Sequence, residues 1–262
     1  MNLVYKASVT FFVFVLLAGF CASEQAKAQG EQGLKAYYDL ETEDPEDKSG
    51  NNLHGAPEGA PKLIDGAMGK AWEFNGTTRI NMDYQDFKNA TPELSVSCFI
   101  LPEDDQGGHV IFEEGGAWTG FGLRILDGEL QFGTICCGEV HPDPVVVSVE
   151  LPDTEDWIDV TAVYDNGKMI LYMNGKNVGE EKAEWGELGG HGQPGSIGGI
   201  GNGNTAFAEG QDINDTPPGF FFGGIDEVRI YQRALQPNEI RLAAVSSLDK
   251  LASTWGSLKI SY

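Results

Sequence analysis

Three dipeptides that favour tight β-turns constrain the fold of this sequence more than any other feature: Asp127-Gly128, Asn166-Gly167 and Asn174-Gly175. Asp127-Gly128 and Asn166-Gly167 each separate two short runs that are rich in apolar, β-branched and aromatic residues, and Asn174-Gly175 directly follows another such run. Asp-Gly and Asn-Gly are typical centres of two-residue hairpin turns, because both central residues of such a turn need a positive φ. The sequence therefore predicts consecutive antiparallel hairpins.

The first turn predicts a pairing that can be followed residue by residue. With Asp127-Gly128 at the tip, Leu123 lies opposite Phe132 on one side of the ribbon. On the other side, Arg124 lies opposite Gln131. One side of the hairpin is then apolar and the other is polar, which predicts a strand pair with one face against a core.

The second and third turns predict a three-stranded meander. The turn at Asn166-Gly167 places Tyr164 opposite Met169, and Ala162 opposite Leu171. The turn at Asn174-Gly175 returns the chain so that Leu171 also meets Val178. Because the apolar residues stay on one face across all three strands, the pattern favours an antiparallel sheet.

The rest of the chain favours strands as well. Strand-like runs follow one another from Leu34 to Tyr231, and the chain combines 35 glycines with 41% apolar residues. This composition is typical of many short strands joined by tight turns. The only helical pattern begins at Pro237, after which Ile240 and Leu248 recur at helical spacing. We predict an all-β domain with a short C-terminal helix.

The first 28 residues have the pattern of a signal peptide. Lys6 precedes the apolar run Val9–Phe20, and a small-x-small cleavage motif ends at Ala28. The apolar run is too short for an ordinary membrane span, so we expect a secreted, extracellular or periplasmic protein with no membrane insertion of the mature chain. The formal charge of −23 disfavours nucleic acid and anionic membranes as partners.

Three cysteines follow the predicted signal peptide: Cys98, Cys136 and Cys137. Export permits a disulfide. The bond joins either Cys98 to one member of the adjacent pair or the two adjacent cysteines to each other, and the odd number leaves one thiol unpaired. The sequence does not decide between these pairings.

The order of several segments resembles the laminin-G-like family of concanavalin A-like jelly-roll domains. Leu34–Leu40, Asp47–Asn52 and Gly69–Gly76 resemble the opening of such a domain. The meander Val160–Gly175 and the strand Gly223–Tyr231 resemble its later part, and the Asp226–Tyr231 segment is the most specific element.

This resemblance implies a two-sheet antiparallel jelly-roll sandwich, often with a structural calcium ion, that binds glycans or other extracellular partners. The predicted organisation is a signal peptide over residues 1–28, a laminin-G-like jelly-roll domain over 33–235, and a C-terminal helix and extension over 236–262. Fold alone does not identify a ligand.

Asp226 is the carboxylate with the clearest predicted role. Strand alternation places it on the inward side with Val228, where an unpaired charge is costly. A calcium ion, which prefers oxygen ligands, would stabilise it. In the related family calcium lies near this strand, against an N-terminal loop that here contains Asp39, Asp47 and Asn52. An ordinary cap or an ion pair with an arginine such as Arg229 is the alternative for Asp226, and a plain Asx turn explains Asp47 and Asn52 equally well.

The polar side of the first hairpin and the nearby loops form the predicted ligand surface. Arg124 and Gln131 lie side by side there, and His109 is on a bordering loop. Sugars need an aromatic platform together with fixed polar groups, and Trp118 between two glycines is the predicted platform. The alternative is that this tryptophan anchors its loop against the sandwich.

The carboxylates do not form the array of a hydrolase. Glycoside hydrolases with this fold carry catalytic carboxylates on one strand as Glu-x-Asp-x-x-Glu, and no strand here has that spacing. We therefore predict a secreted, non-catalytic module that binds a glycan or a cell-surface protein. One alternative is a structural or adhesive envelope protein without a small ligand. A glycoside hydrolase or polysaccharide lyase of the same fold is a further, less favoured alternative.

Overall fold

A computed structural model describes residues 32–82, 88–103, 105–116, 118–137, 143–201, 207 and 219–240. The predicted signal peptide and the extension after Ile240 lie outside these residues. The chain separates into two units, Met1–Gly33 and Leu34–Tyr262, and every described strand belongs to the second unit. No helix within the described residues is both long and apolar enough to cross a membrane.

The described part of the chain is almost entirely strand and turn. A short helix begins at residue 237 and is described as far as residue 240. The strands are β1 Leu34–Tyr38, β2 Ala56–Glu58, β3 Lys62–Asp65, β4 Lys70–Asn75, β5 Arg79–Asn81, β6 Glu93–Pro102, β7 Gly108–Gly116, β8 Thr119–Leu126, β9 Glu129–Ile135, β10 Val145–Glu150, β11 Ile158–Asp165, β12 Lys168–Met173, β13 Lys176–Lys182, β14 Ser196–Ile197 and β15 Phe222–Tyr231.

These strands form two antiparallel sheets packed as a sandwich. The eight-stranded sheet has the order β13-β12-β11-β6-β15-β4-β3, with β1 also paired to β15. The seven-stranded sheet has the order β10-β9-β8-β7-β14-β5-β2. The predicted all-β sandwich with one short C-terminal helix is confirmed. Neighbours such as β6 and β15 are far apart in sequence, so most of each sheet depends on long-range pairing.

The register predicted from the first two turns is confirmed. Arg124 pairs with Gln131 across β8 and β9, and Ala162 pairs with Leu171 across β11 and β12. Both central residues of each turn have a positive φ, for example 49° at Asn166 and 89° at Gly167. These values are those that a two-residue turn of type I′ requires.

The predicted contact between Leu171 and Val178 is wrong by one residue. Leu171 pairs with Gly179, because the register shifts at a bulge between Leu171 and Tyr172. Val147 of the other sheet packs over this position, and a Cβ on residue 179 would lie only 2.6 Å from its side chain. A glycine is therefore placed where a side chain of the opposite sheet leaves no space for a Cβ.

The main core fills the space between the sheets. It contains fully buried Trp72 and Phe112 together with Phe121 and Phe132, whose ring centroids are 4.7 Å apart. A second cluster, which includes Val163, Tyr172, Tyr231, Leu235 and Ile240, lies on the other face of the eight-stranded sheet. The C-terminal segment thus covers part of that outer face.

Candidate functional site

Two of the predicted ligand residues, Arg124 and Gln131, are neighbours but are not open to solvent. The Nε of Arg124 donates to the Oε1 of Gln131 at 2.8 Å, yet the two residues are only 1% and 8% exposed. The ring of Phe207 lies 3.9 Å from the Arg124 guanidinium carbon and also covers Gly133. The prediction that Arg124 and Gln131 share a polar face is confirmed. The prediction that both are exposed is wrong, because an aromatic residue from the β14–β15 connection covers this part of the face.

His109 is also buried, and its ring contacts main chain. Its two ring nitrogens lie 3.0 Å from the Phe220 carbonyl oxygen and 2.7 Å from the Gln106 carbonyl oxygen. The ring also makes an edge contact with Phe222. His109 therefore connects two loops at the start of β7, at the opposite end of that strand from Trp118.

Trp118 is the predicted ligand residue that the structure leaves exposed. It lies in the connection between β7 and β8 and is 64% exposed, the only large hydrophobic side chain among the described residues with such exposure. The alternative in which this tryptophan is tucked against the sandwich does not hold. An exposed indole at a hairpin tip offers a flat apolar surface to a ligand.

A small polar cavity begins at the residue that follows Trp118. The polar side chains in its lining are those of Asn89, Thr91, Glu114, Thr119, His191 and Gln232. Its free space of about 20 Å³ is enough for one water-sized group. We call Trp118, these six side chains and the adjacent cysteine pair the hairpin-end site.

A buried ion pair forms one wall of the hairpin-end site. The Nε2 of His191 donates to the Oε1 of Glu114, and the Nδ1 of His191 lies 3.1 Å from the Gln193 carbonyl oxygen. Because both ring nitrogens face acceptors, the arrangement favours the doubly protonated imidazolium. Burial raises the pKa of Glu114, although His191 opposes this shift. Burial lowers the pKa of His191, but the hydrogen bond and charge of Glu114 outweigh it and raise that pKa overall.

The adjacent cysteines lie against two residues of the cavity lining, Thr119 and Gly189. Cys136 and Cys137 form a disulfide, so the pairing of neighbours is the one present among the open alternatives. Cys136 is buried and Cys137 is exposed, directly after the end of β9. Cys98 is a free thiol in the main core, where burial raises its pKa.

Asp226, the predicted metal ligand on β15, is fully buried, and its two carboxylate oxygens differ in their hydrogen bonding. Its Oδ2 accepts a hydrogen bond from the Met68 amide at 2.9 Å, and its Oδ1 has no hydrogen-bond partner in the described part of the chain. Burial, with smaller contributions from the charges of Glu227 and Glu41, raises the pKa of Asp226 to about 8. Arg229 pairs with Glu227 instead, because a bulge separates Asp226 from Arg229. An unpaired buried carboxylate oxygen of this kind fits a cation.

The other predicted metal residues do not surround Asp226. Asp47 accepts hydrogen bonds from the amides of Tyr37, Ser49 and Leu53 and from the Ser49 hydroxyl, which corresponds to the Asx-turn alternative. Burial opposes it, but these hydrogen bonds lower the pKa of Asp47.

Asn52 is exposed with a φ of 58°, and Asp39 is half-buried. No three His, Cys, Asp or Glu side chains within the described ranges gather as metal ligands, so Asp39, Asp47 and Asp226 do not form such a group.

Sequence reasoning missed the polar wall of the hairpin-end site. His191 and Glu114 are 77 positions apart and meet only because β14 brings the segment before it beside β7. A histidine among glycines, Gly189-Gly190-His191-Gly192, carries no periodic signal. Glu114 stands at the end of a strand-like run, and spacing along the chain does not identify its partner.

Comparison with known proteins gives a family and a set of similar folds. The sequence profile of the concanavalin A-like lectin/glucanases superfamily matches residues 74–241. A search of curated proteins found no match.

Among solved structures, the chain is similar to domain 4 of AbnA, an extracellular GH43 arabinanase of Geobacillus stearothermophilus, in complex with arabinotriose. The TM-score is 0.60 at 22% identity, over 80% of this chain and 98% of that one. A botulinum neurotoxin type C structure, from work on its interaction with two ganglioside molecules, has a TM-score of 0.65 at 14% identity, over 84% of this chain and 53% of that one.

The binding domain of Paraclostridial Mosquitocidal Protein 1 has a TM-score of 0.63 at 18% identity, over 81% and 52% of the two chains. The chain thus spans about half the length of these two toxin chains. At these identities the similarity concerns the fold.

Proposed function

The chain belongs to the concanavalin A-like lectin/glucanase superfamily, and from this membership we propose that it is a secreted, non-catalytic module that binds glycans at the hairpin-end site. The observation that carries the proposal is the 64% exposure of Trp118 beside a polar cavity. A sugar ring can stack its apolar face on the indole while one hydroxyl enters the cavity.

Similar folds support a glycan as the ligand class. Domain 4 of the arabinanase is in complex with arabinotriose, and the type C neurotoxin is described as interacting with gangliosides. The present chain carries a formal charge of −23, which disfavours anionic sugars. We therefore propose a neutral oligosaccharide as its ligand.

The placement of the two neighbouring glutamates supports a non-catalytic role. Glu113 pairs with Gly122 on the outward face of the seven-stranded sheet, whereas Glu114 pairs with Phe121, a core residue. The two carboxylates point to opposite sides of the sheet, so they cannot flank one glycosidic bond as an acid and a nucleophile.

A structural calcium ion at Asp226 is part of the proposal. Glu41 would be the second carboxylate ligand, because its charge already acts on Asp226 and it accepts a hydrogen bond from the Lys70 amide at 3.1 Å. Gly66 and Gly69 leave room for both groups, since a Cβ at either position would lie within 2.6 Å of a carboxylate oxygen. Backbone carbonyls and water would complete the coordination.

Secretion is supported by the predicted signal peptide over residues 1–28 and by the disulfide, which persists in oxidising compartments. The partner is then an extracellular or cell-surface glycan.

The test is titration calorimetry with arabinotriose, together with an oligosaccharide array that includes sialylated ganglioside sugars. We expect Trp118→Ala to weaken binding about tenfold or more, and Trp118→Phe to retain most of it. Since Trp118 is exposed, neither change should lower the melting temperature. Lys176→Ala, on the β12–β13 hairpin, is the control and should bind as the parent does. An array without any signal, combined with persistent self-association, would favour the structural or adhesive alternative.

A further inference from the structure

The disulfide between Cys136 and Cys137 contributes little to holding the fold together. A disulfide stabilises a protein mainly by closing a loop in the unfolded chain, and the effect grows with loop length. Here the sequence separation is 1, so almost no loop is closed. What the bond fixes is local: the peptide bond between the two cysteines becomes part of a small covalent ring.

The ring touches two walls of the hairpin-end site. The amide of Cys137 donates to the Thr119 hydroxyl at 3.5 Å. The Sγ of Cys136 lies close to Gly189, since a Cβ added at this glycine would be 3.8 Å from the sulfur. Thr119 and Gly189 both line the cavity. The Sγ of Cys136 also lies 3.4 Å from the carbonyl oxygen of Glu187, in the segment that leads to His191.

The backbone at Cys137 is held in a conformation that cysteine rarely adopts. Its φ is 71°, in the left-handed region that is uncommon for residues other than glycine. Ile135 is the last residue of β9 that pairs with β8, so the sheet does not impose this conformation on Cys137. The covalent ring and the Thr119 contact both constrain this residue.

We propose that this disulfide is a positioning element of the hairpin-end site. The site binds a sugar while the disulfide is intact and loses that ability when the disulfide is reduced. The inference rests on the proposed function for its ligand. The ring lies next to Thr119, which follows Trp118 in the chain, so it sets where the cavity lies relative to the indole.

The chemical step needs a dithiol reductant. One thiolate of the reductant attacks a sulfur of the pair, the S–S bond breaks, and a mixed disulfide forms. The second thiolate of the reductant then displaces the remaining cysteine, so the reductant becomes a disulfide while Cys136 and Cys137 each gain a proton. The exposure of Cys137 makes the bond accessible, whereas Cys98 stays inert in the core.

The binding experiment compares the oxidised and the dithiothreitol-reduced protein in calorimetry with arabinotriose. We expect reduction to weaken binding about tenfold or more. The double variant Cys136→Ser, Cys137→Ser should bind as weakly as the reduced protein and should not respond to reductant. Cys98→Ala is the matched control and should keep the full response. Equal affinity in both redox states would overturn the inference and leave the proposed function intact.

A second measurement does not depend on any sugar. The ring signals of His191 and His109 are followed by NMR before and after reduction. We expect those of His191 to shift, because its loop contacts the disulfide, and those of His109 at the other end of β7 to remain in place. Unchanged His191 signals would overturn the inference. If the oxidised protein binds no sugar at all, the proposed function fails, and the His191 signals still decide whether the disulfide shapes the site.

Discussion

Three buried carboxylates each have an oxygen atom without a hydrogen-bond partner among the described residues: Glu113 Oε2, Asp159 Oδ2 and Asp226 Oδ1. Burial raises the pKa of Asp159 to about 6, that of Asp226 to about 8 and that of Glu113 well above its ordinary value. The unfolded chain releases these protons at about pH 4, and the folded protein releases them only at higher pH. Their contribution to stability is therefore present in acid and is lost as the pH rises through the folded-state pKa values.

Asp226→Asn tests this balance and the calcium proposal together. In a chelator at about pH 8, we expect the variant to be more stable than the parent by about 2 kcal/mol or more, because the amide carries no buried charge. At about pH 5 the difference should shrink, since the parent carboxyl is then mostly protonated. In excess calcium the order should reverse, because the ion stabilises only the folded parent protein.

Chemical denaturation at both pH values, with and without calcium, measures these free energies. Asp159→Asn is the matched control: it should flatten the pH dependence but leave the calcium effect unchanged. A calcium effect of equal size in the parent and in Asp226→Asn would exclude Asp226 as a ligand.

At the level of elements, the hairpin turns combine a backbone requirement with close contacts. Gly167 has a φ of 89°, and a Cβ there would lie 2.6 Å from the Trp185 carbonyl oxygen and 2.9 Å from that of Ala183. Gly128 has a similar φ of 83°, but its Cβ would meet nothing closer than 3.8 Å. The two glycines therefore separate the cost of the backbone conformation from the cost of a collision with main chain.

Alanine at each position measures the two costs. We expect Gly128→Ala to lower the free energy of unfolding by about 1 kcal/mol, from the positive φ alone. Gly167→Ala should cost at least twice as much, because rigid carbonyl groups must also move. Urea denaturation of both variants gives the comparison. Equal losses in the free energy of unfolding would mean that the carbonyl groups of Trp185 and Ala183 move aside without a measurable cost.

The elements show how far local sequence reasoning extends. The turns at Asp127-Gly128 and Asn166-Gly167 fixed the register of their hairpins, because a two-residue turn leaves one pairing. The bulge that moves Leu171 from Val178 to Gly179 was not predicted, since no turn signal marks it, and Gly179 lies where Val147 of the opposite sheet leaves no space for a Cβ. Local patterns thus predict pairs within a ribbon, while packing between sheets modifies them.

At the level of the whole molecule, the candidate site was predicted only where one residue carries the signal. Trp118 between glycines could be identified from the sequence because its proposed role depends on exposure at a turn. The cover that Phe207 places on Arg124 and the meeting of Glu114 with His191 depend on how distant segments return to the seven-stranded sheet. These contacts have no local pattern, so spacing along the chain could not reveal them.

The net charge of the molecule makes a prediction about which sugars it accepts. With a formal charge of −23, the protein repels anionic ligands at long range, and salt screens this repulsion over about 10 Å at 0.1 M ionic strength. Binding of neutral arabinotriose should therefore be nearly independent of salt. Binding of a sialylated ganglioside sugar should be weaker at low salt and should strengthen as salt is added. Calorimetry from about 0.02 M to about 0.5 M salt measures both trends. Tight binding of the sialylated sugar that weakens with salt would contradict the prediction, because it would require a basic surface at the site.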